Sequence, residues 1–556
     1  MVRLLRSCGA RLQREFSMAS TVPESSTTRE VPQRAGLVLA SLILGAFVCN
    51  VNLSVANVAL PDIGKAFNAS QTSLTLVAVG CTLGLAMSVL YFGAIGDRHG
   101  RKRMLLLGLI ITVPAAFLSA FAPNVQMLMV GRLLTGLAAG MAYPTTLALV
   151  TALWAEGRNR TKAIALWQSV SGASAVLGPA LAGLFLEHLW WGSVFLIVVP
   201  VAIVALVMNL VFVPAHVAES TDPVDHLGGA LSVLMIAGLV LGIGMISAPN
   251  RLIASLALLA VSAVLIALFV VRQRTAKHPL YDLNYAGRRL FWVPAVAGMI
   301  VLGSLAGAMY VGQQFLQNVM HYSTLAAGTA ILPAAIGMIS VAPHSAKLVD
   351  TKGSRFTMLL GYSFILPAFG VMLFTWHEGV SYLFIGLAYL LMGAGVGFAL
   401  TPAARSLTSS VPVAKVGMAS GTSDLQRDLG GSIFQAVLGT FLTLGYASAF
   451  SKAVAASPEA SAVSEQTRSE LTASFSSATK MAEQFPQYQS AIVAAAEKSF
   501  LQGSSWAYGA GAFFIFLGAV LVFFAYPSRE KAMEMFAEYQ REDAVGAPGS
   551  AATATS

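Results

Sequence analysis

The chain has 556 residues, of which 56% are hydrophobic and only 11% charged, and its mean hydropathy is +0.72. Soluble domains carry about 25% charge, so this composition excludes a water-soluble globular protein and leaves an all-α polytopic membrane chain. The formal net charge of +9 is spread over loops and is no signature of a nucleic-acid partner, because in a membrane protein the placement of Lys and Arg carries more information than their sum.

A bilayer core of about 30 Å needs about 20 apolar residues per helix. Apolar runs of that size predict spans at 35–60, 72–95, 104–122, 125–152, 163–186, 190–212, 227–247, 252–271, 291–317, 324–345, 356–376, 379–402, 417–447 and 504–527, fourteen in all. Ahead of them lies a tail, 1–34, with Arg3, Arg6, Arg11, Arg14, Arg29 and Arg34. Its Arg-rich start before Met18 leaves open a transit peptide, an exposed tail or an early start codon. The three cysteines, Cys8, Cys49 and Cys81, include two inside spans and make no disulfide framework. Basic residues recur in every second loop: Arg98 to Arg103, Arg158 to Lys162, Arg272 to Arg289, Lys347 to Arg355, and Arg405 with Lys415. The positive-inside rule then puts both termini in the cytoplasm, with the chain in the inner (plasma) membrane. Arg251 falls on the other side, and the loop Pro214 to His226 should be cytoplasmic yet has no Lys or Arg.

After span 2 the chain reads GAIGDRHGRKRMLLLG, and after span 10 it reads AKLVDTKGSRFTMLLG, repeating the Asp-x-x-Gly-x-basic spacing of Asp97, Gly100 and Lys102 as Asp350, Gly353 and Arg355. Each copy falls between the second and third helix of a half, which divides the chain into an N-terminal half (35–212), a linker with two inserted helices (213–271), a cytoplasmic loop (272–290) and a C-terminal half (291–527), followed by a tail (528–556). Parallel repeats about an axis along the membrane normal build a central cavity suited to alternating access. Gly100 permits a backbone conformation other residues disfavour. The same loop also serves as a topology anchor, and sequence does not separate the two roles. The long loop 448–503 is Ala, Ser, Glu and Gln rich, with helices expected at 461–483 and 488–500 around Pro486; it is either a cap or a solvated loop. The final residues, AVGAPGSAATATS, read as disordered.

The Asp97 loop resembles the signature loop of the major facilitator superfamily: Gly93, Gly96, Asp97, Arg98, Gly100, Arg101 and Lys102 match in order. Three further stretches resemble its drug:proton antiporter branch with fourteen spans: Asn57-Val58-Ala59-Leu60-Pro61 in span 1, Arg132 with Gly136 in span 4, and Gly172, Gly178-Pro179 and Gly183 in span 5. The resemblance covers essentially the whole chain. It implies the major facilitator fold, two pseudo-symmetric six-helix halves plus two central inserted helices, and assigns gating to the two signature loops and to Gly178, Pro179 and Gly183. It also associates Arg132 with proton coupling. An intramembrane cation is expensive unless it is paired or faces a wet cavity, which agrees. Gly178-Pro179 removes a backbone donor and bulky contacts, fitting either a gate or plain close packing. One departure is Asn52, which stands where that branch usually has an acidic residue and cannot carry a proton. Another is Asp428, which stands where it usually has Gln.

Span 13, GTSDLQRDLGGSIFQAVLG, places Asp424 and Asp428 one turn apart with Arg427 beside them. Neighbouring carboxylates raise each other's proton affinity while Arg427 lowers it, so the trio reads equally as a proton carrier or as an inner-gate ion cluster. Cavity candidates are Asn50, Asn52, Asn57, Gln168, Tyr310, Gln313, Gln314 and Gln317, although amides in lipid often just bind neighbouring helices. The expected function is proton-driven efflux of small hydrophobic or cationic compounds by a monomer in lipid, with the proton gradient as energy source and no metal or cofactor. Export of an endogenous lipid or secondary metabolite, or a non-transporting receptor on the same scaffold, remain open. No His-Glu-x-x-His, Gly-x-Ser-x-Gly or Gly-x-x-x-x-Gly-Lys occurs, which argues against a membrane enzyme and against an ATP-driven pump.

Overall fold

The structure, a computed structural model, describes residues 32, 34–154, 158–214, 223–248, 251–412, 416–457 and 463–545. The N-terminal tail up to residue 31, with the alternatives left open for it, and residues 546–556, expected from sequence to be disordered, lie outside the described residues. Among the described residues there are helices and no strand. The long helices are α1 (Ala35–Phe67), α2 (Gln71–His99), α3 (Arg101–Ala120), α4 (Val125–Leu153), α5 (Arg158–His188), α6 (Ser193–Phe212), α7 (His226–Met245), α8 (Leu252–Thr275), α9 (Arg289–Asn318), α10 (Thr324–Lys352), α11 (Ser354–Thr375), α12 (Tyr382–Ser409) and α13 (Val416–Ala455). Two short helices, α14 (Glu465–Ala473) and α15 (Phe475–Gln484), precede α16 (Gln489–Ala525), and α17 (Arg529–Val545) follows it. Among the described residues, thirteen helices are long and apolar enough to cross a membrane. The more polar α5, 31 residues long, stands where the remaining span was expected.

Two sets of helices pack alike. In the first, α2 and α3 lie on α4, α1 lies on α5 and α6, and α3 also meets α6. In the second, α10 and α11 lie on α12, α9 lies on α13 and α16, and α11 also meets α16. The close approaches repeat as well. A Cβ on Gly136 of α4 would stand 2.1 Å from the Cys81 carbonyl of α2, and one on Gly393 of α12 would stand 1.8 Å from the Ala334 carbonyl of α10. Small residues let helix backbones touch where lipid supplies no hydrophobic drive to associate.

The inserted α7 packs on both α2 and α13, while α8 packs mainly on α7 and leaves most of its apolar surface outward. Asp225 caps α7 and receives Arg272 from the end of α8 at 2.9 Å. Burial raises the Asp225 carboxyl, but the hydrogen bonds from Arg272 and the Gly228 amide outweigh it and hold the group below the usual carboxylate range. The missing cation in the loop 214–226 is explained by its neighbour. Lys102 Nζ donates to the carbonyls of Leu210 (2.9 Å) and Val213 (2.5 Å), so the signature loop supplies the positive charge at the C-terminal end of α6.

Two expectations about the loop 448–503 are corrected. The helix expected at 488–500 is the first part of α16, a single 37-residue helix continuous with the last span. The helix expected at 461–483 is two, because Ser474 has extended backbone, caps α15 through Ser477 N, and donates its hydroxyl to the Ala69 carbonyl at 2.8 Å. Ser476 adds a bond to the Pro61 carbonyl. The segment is therefore a cap seated on the α1–α2 turn. At the opposite, basic end α17 is held by Arg288, which makes paired bonds to Asp543 (3.0 and 2.6 Å) between the rings of Tyr285 and Tyr539.

Candidate transport site

The two signature loops fold alike. Gly100 has φ 111 and Gly353 φ 89, a region closed to side chains, and each ends one helix and starts the next in a turn too tight for another residue. Arg101 Nε reaches Asp97 at 2.7 Å and its Nη1 reaches the Ala148 carbonyl of α4 at 3.3 Å. In the second copy Arg405 of α12 bonds Asp350, Arg355 bonds the Phe523 carbonyl, and Arg529 of α17 bonds the carbonyls of Asp350 and Thr351. Arg98 is also engaged, whereas Gly93 faces open space.

The charged trio sits within the span predicted from the sequence at 417–447, on the basic-end part of α13. Asp428 lies twelve residues into α13, about 18 Å along it at 1.5 Å per residue. Its side chain is 1% exposed and pairs with Arg427 at 2.9 Å. Successive helical residues point about 100° apart, so it is the length of the Arg stem that closes this pair. Arg427 then crosses to α4, donating to Tyr143 Oη at 2.8 Å with its guanidinium 4.4 Å from that ring. Trp167 of α5 lies against Tyr143, and its Nε1 donates to Thr146 Oγ1 at 3.0 Å. Asp424, one turn nearer the basic end, is half-buried and makes neither an ion pair nor a side-chain hydrogen bond among the described residues. Two carboxylates thus share one arginine.

Arg132 is not part of this cluster. It sits on α4 three turns toward the far end, fully buried, with Nη1 donating to the Asn52 carbonyl of α1 at 2.8 Å and the guanidinium 5.4 Å from the Phe195 ring. Its Nε and Nη2 have no partner among the described residues. Tyr143, which the sequence analysis missed, is eleven residues after Arg132 and so on the same helix face, a spacing that was there to be read.

Three of the cavity candidates, Tyr310, Gln314 and Gln317, form a seal between the halves at the far end. Gln71 of α2 donates to Tyr310 Oη (3.0 Å) and Gln314 Oε1 (2.9 Å), Thr75 shares a 2.8 Å bond with Tyr310, and Gln317 donates to the Val58 carbonyl at 2.9 Å. Gln313 donates to Ala327, and among the described residues its Oε1 and Asn57 Oδ1 have no partner. Asn50 bonds within its own helix, and the Gln168 side chain lies outside the described residues. The seal continues along α5. A Cβ on Gly183 would stand 2.4 Å from the Thr324 carbonyl and Gly328 of α10 lies against the Pro179 carbonyl, whereas Gly178 packs on Ser54 of α1 within its own half. Gln71 and Thr75 were not foreseen, since one polar pair at a helix start carries no mark of its partner.

The Major Facilitator Superfamily sequence model matches residues 42–435. The chain belongs to that superfamily. Among curated relatives, the multidrug efflux pump LfrA of Mycolicibacterium smegmatis is 30% identical over 431 residues, 78% of this chain and 85% of its own. The methyl viologen resistance protein SmvA of Salmonella typhimurium is 28% identical, covering 88% of this chain and 98% of its own. A bacterial homologue of the human lysosomal transporter Spinster, solved inward-facing and unoccupied, superimposes with TM-score 0.59 at 16% identity over 93% of this chain and 99% of that one. The major facilitator fold is thus common to sequence and structure, and this chain is a multi-pass membrane protein of a transporter family.

Proposed function

We propose that the chain is a secondary active exporter of small hydrophobic or cationic compounds, driven by proton entry through alternating access. It lies in the inner membrane as a monomer, with the basic end and both termini in the cytoplasm. The observation that carries this is the buried cluster of Asp428, Arg427 and Tyr143, which joins α4 of one half to α13 of the other. With the far end sealed, a solute enters from the basic end. Protonating Asp428 cancels its charge and leaves Arg427 held across the seam by Tyr143 alone, so proton binding weakens the pair that fixes the guanidinium. Asp424, without a cation of its own, is the carboxylate reached first from the cytoplasm. Relatives named for multidrug efflux and methyl viologen resistance support the substrate class.

A second reading, favoured by the complete pairing of Asp428 with Arg427, makes the pair a gate and Asp424 the carrier. Uptake of a fluorescent lipophilic cation into everted vesicles, with and without an imposed pH gradient, separates them. Loss of gradient-driven transport in Asp428→Asn but not in Asp424→Asn places the carrier at Asp428, and the reverse places it at Asp424. Gradient-driven transport undiminished in the double variant disproves both.

A further inference from the structure

An apolar pocket, open on one side, lies outside the membrane seam, inside the cap. It measures about 310 Å³, within the range of ligand pockets, roughly 300–1,000 Å³. Its walls come from the end of α13 (Phe450, Val454), from α14 (Leu471), from α15 (Met481) and from the turn into α16 (Phe485), closed below by Ile492. Protein interiors rarely leave voids much larger than a water molecule. Water is a poor tenant here because it needs two to four polar partners, and the hydroxyls near the wall are engaged: Ser457 bonds Val454, and Thr467 bonds Ser464. The half-exposed rings of Phe485 and Tyr488, 39% and 43% accessible, stand at the mouth and offer an aromatic rim with one phenol outward.

The cavity is held open by its frame. Tyr446 ties α13 to the carbonyls of Leu471 and Ser474 at 3.1 Å, and Ser474 ties the cap to Ala69. Phe475 and Phe500 pack edge to face beneath it. The cap sits beside the polar seal of Gln71 and Tyr310, on the side where an exported solute leaves.

We propose that the cap cavity binds an uncharged or amphipathic lipophile, with its apolar body between α13 and α15 and its polar end at Tyr488. Two sources share this chemistry: an exported solute caught on leaving, or an acyl chain of a membrane lipid. Binding here does not depend on which carboxylate carries the proton.

The test uses the full chain in lipid nanodiscs with two photoreactive probes, a diazirine-bearing lipophilic cation and a phospholipid with a diazirine-bearing acyl chain, followed by peptide mapping. Label on residues 450–495 that falls by about tenfold in Leu471→Trp, where an indole fills the volume, and is retained in Leu471→Ala supports the site. The probe that labels names the source. The same label in Asp428→Asn shows the site to be independent of proton coupling. Absence of label in this segment from both probes, or label unchanged by Leu471→Trp, overturns the proposal. Should Leu471→Trp not fold, Ala495→Phe, which fills the same cavity from α16, takes its place with the same outcomes.

Discussion

Replacing Gly183 by Ala isolates the seal from everything else in the molecule. The added methyl would stand 2.4 Å from the Thr324 carbonyl oxygen, 2.7 Å from Leu325 Cα and 2.8 Å from the Thr324 carbonyl carbon. All three are backbone atoms, so no rotamer relieves the clash and α5 must separate from α10. Overpacking of this kind costs about 1–3 kcal/mol, and it acts only when the far end is closed, so the closed-to-open ratio should fall by about 5 to 150-fold. The assay is the labelling rate of Thr75→Cys by a membrane-impermeant maleimide, with the native cysteines replaced by Ser. Thr75 is 1% exposed in the sealed state, so its reactivity reports opening. A rate equal to that of the parent, or to that of Gly509→Ala, where nothing lies within 4 Å of the new methyl, refutes the assignment. A cysteine at Ser262, buried between α7 and α8, should stay unreactive throughout, which distinguishes opening from unfolding.

Other outcomes follow from the same contacts. Tyr143→Phe keeps the ring under Arg427 but removes its acceptor, a bond to a charged group worth about 1.5–3 kcal/mol, and should slow gradient-driven efflux at least about tenfold at normal expression. Gly100→Ala forces a side chain onto φ 111 at a cost of about 1–3 kcal/mol, lowering the thermal midpoint, whereas the same change at Gly509 should not. Asp225 has a carboxyl held low in the folded protein, so its contribution is present at neutral pH and disappears as pH falls through that lowered value. Asp225→Asn should flatten the acid limb of the thermal-midpoint profile, and an unchanged limb would contradict the assignment. Arg288→Ala removes the paired bonds to Asp543 and should expose α17 to proteolysis with the membrane helices still intact.

The spans were legible because a bilayer demands about 20 apolar residues per crossing, and every predicted crossing coincides with a helix. The paired signature loops were legible too, since Asp97 to Lys102 and Asp350 to Arg355 carry the glycine that each tight turn requires. What the sequence concealed were partners distant along the chain. Arg427 finds Tyr143 across 284 positions and Gln71 finds Tyr310 across 239; a phenol or an amide has the same appearance whether it meets lipid, solute or another helix. The amides of α9 looked like cavity walls for that reason; in this structure Gln314 and Gln317 bind the opposite half and Gln313 binds α10. The lack of a cation at 214–226 looked like a fault in the topology because charge was counted loop by loop, whereas Lys102 serves the end of α6 from the next loop.

The position of α7 has a consequence for the route by which an oily solute arrives. Val79, Leu83 and Ala86 of α2, Ile236 and Val240 of α7, and Ala436 of α13 form one buried cluster. That flank, where the halves meet, is walled off from the surrounding bilayer. Among the described residues, neither α7 nor α8 packs on α5 or α10, and the opposite flank has no such wall. That second flank is closed by α5 and α10 themselves, along the glycines Gly183 and Gly328 whose backbone contacts seal the far end.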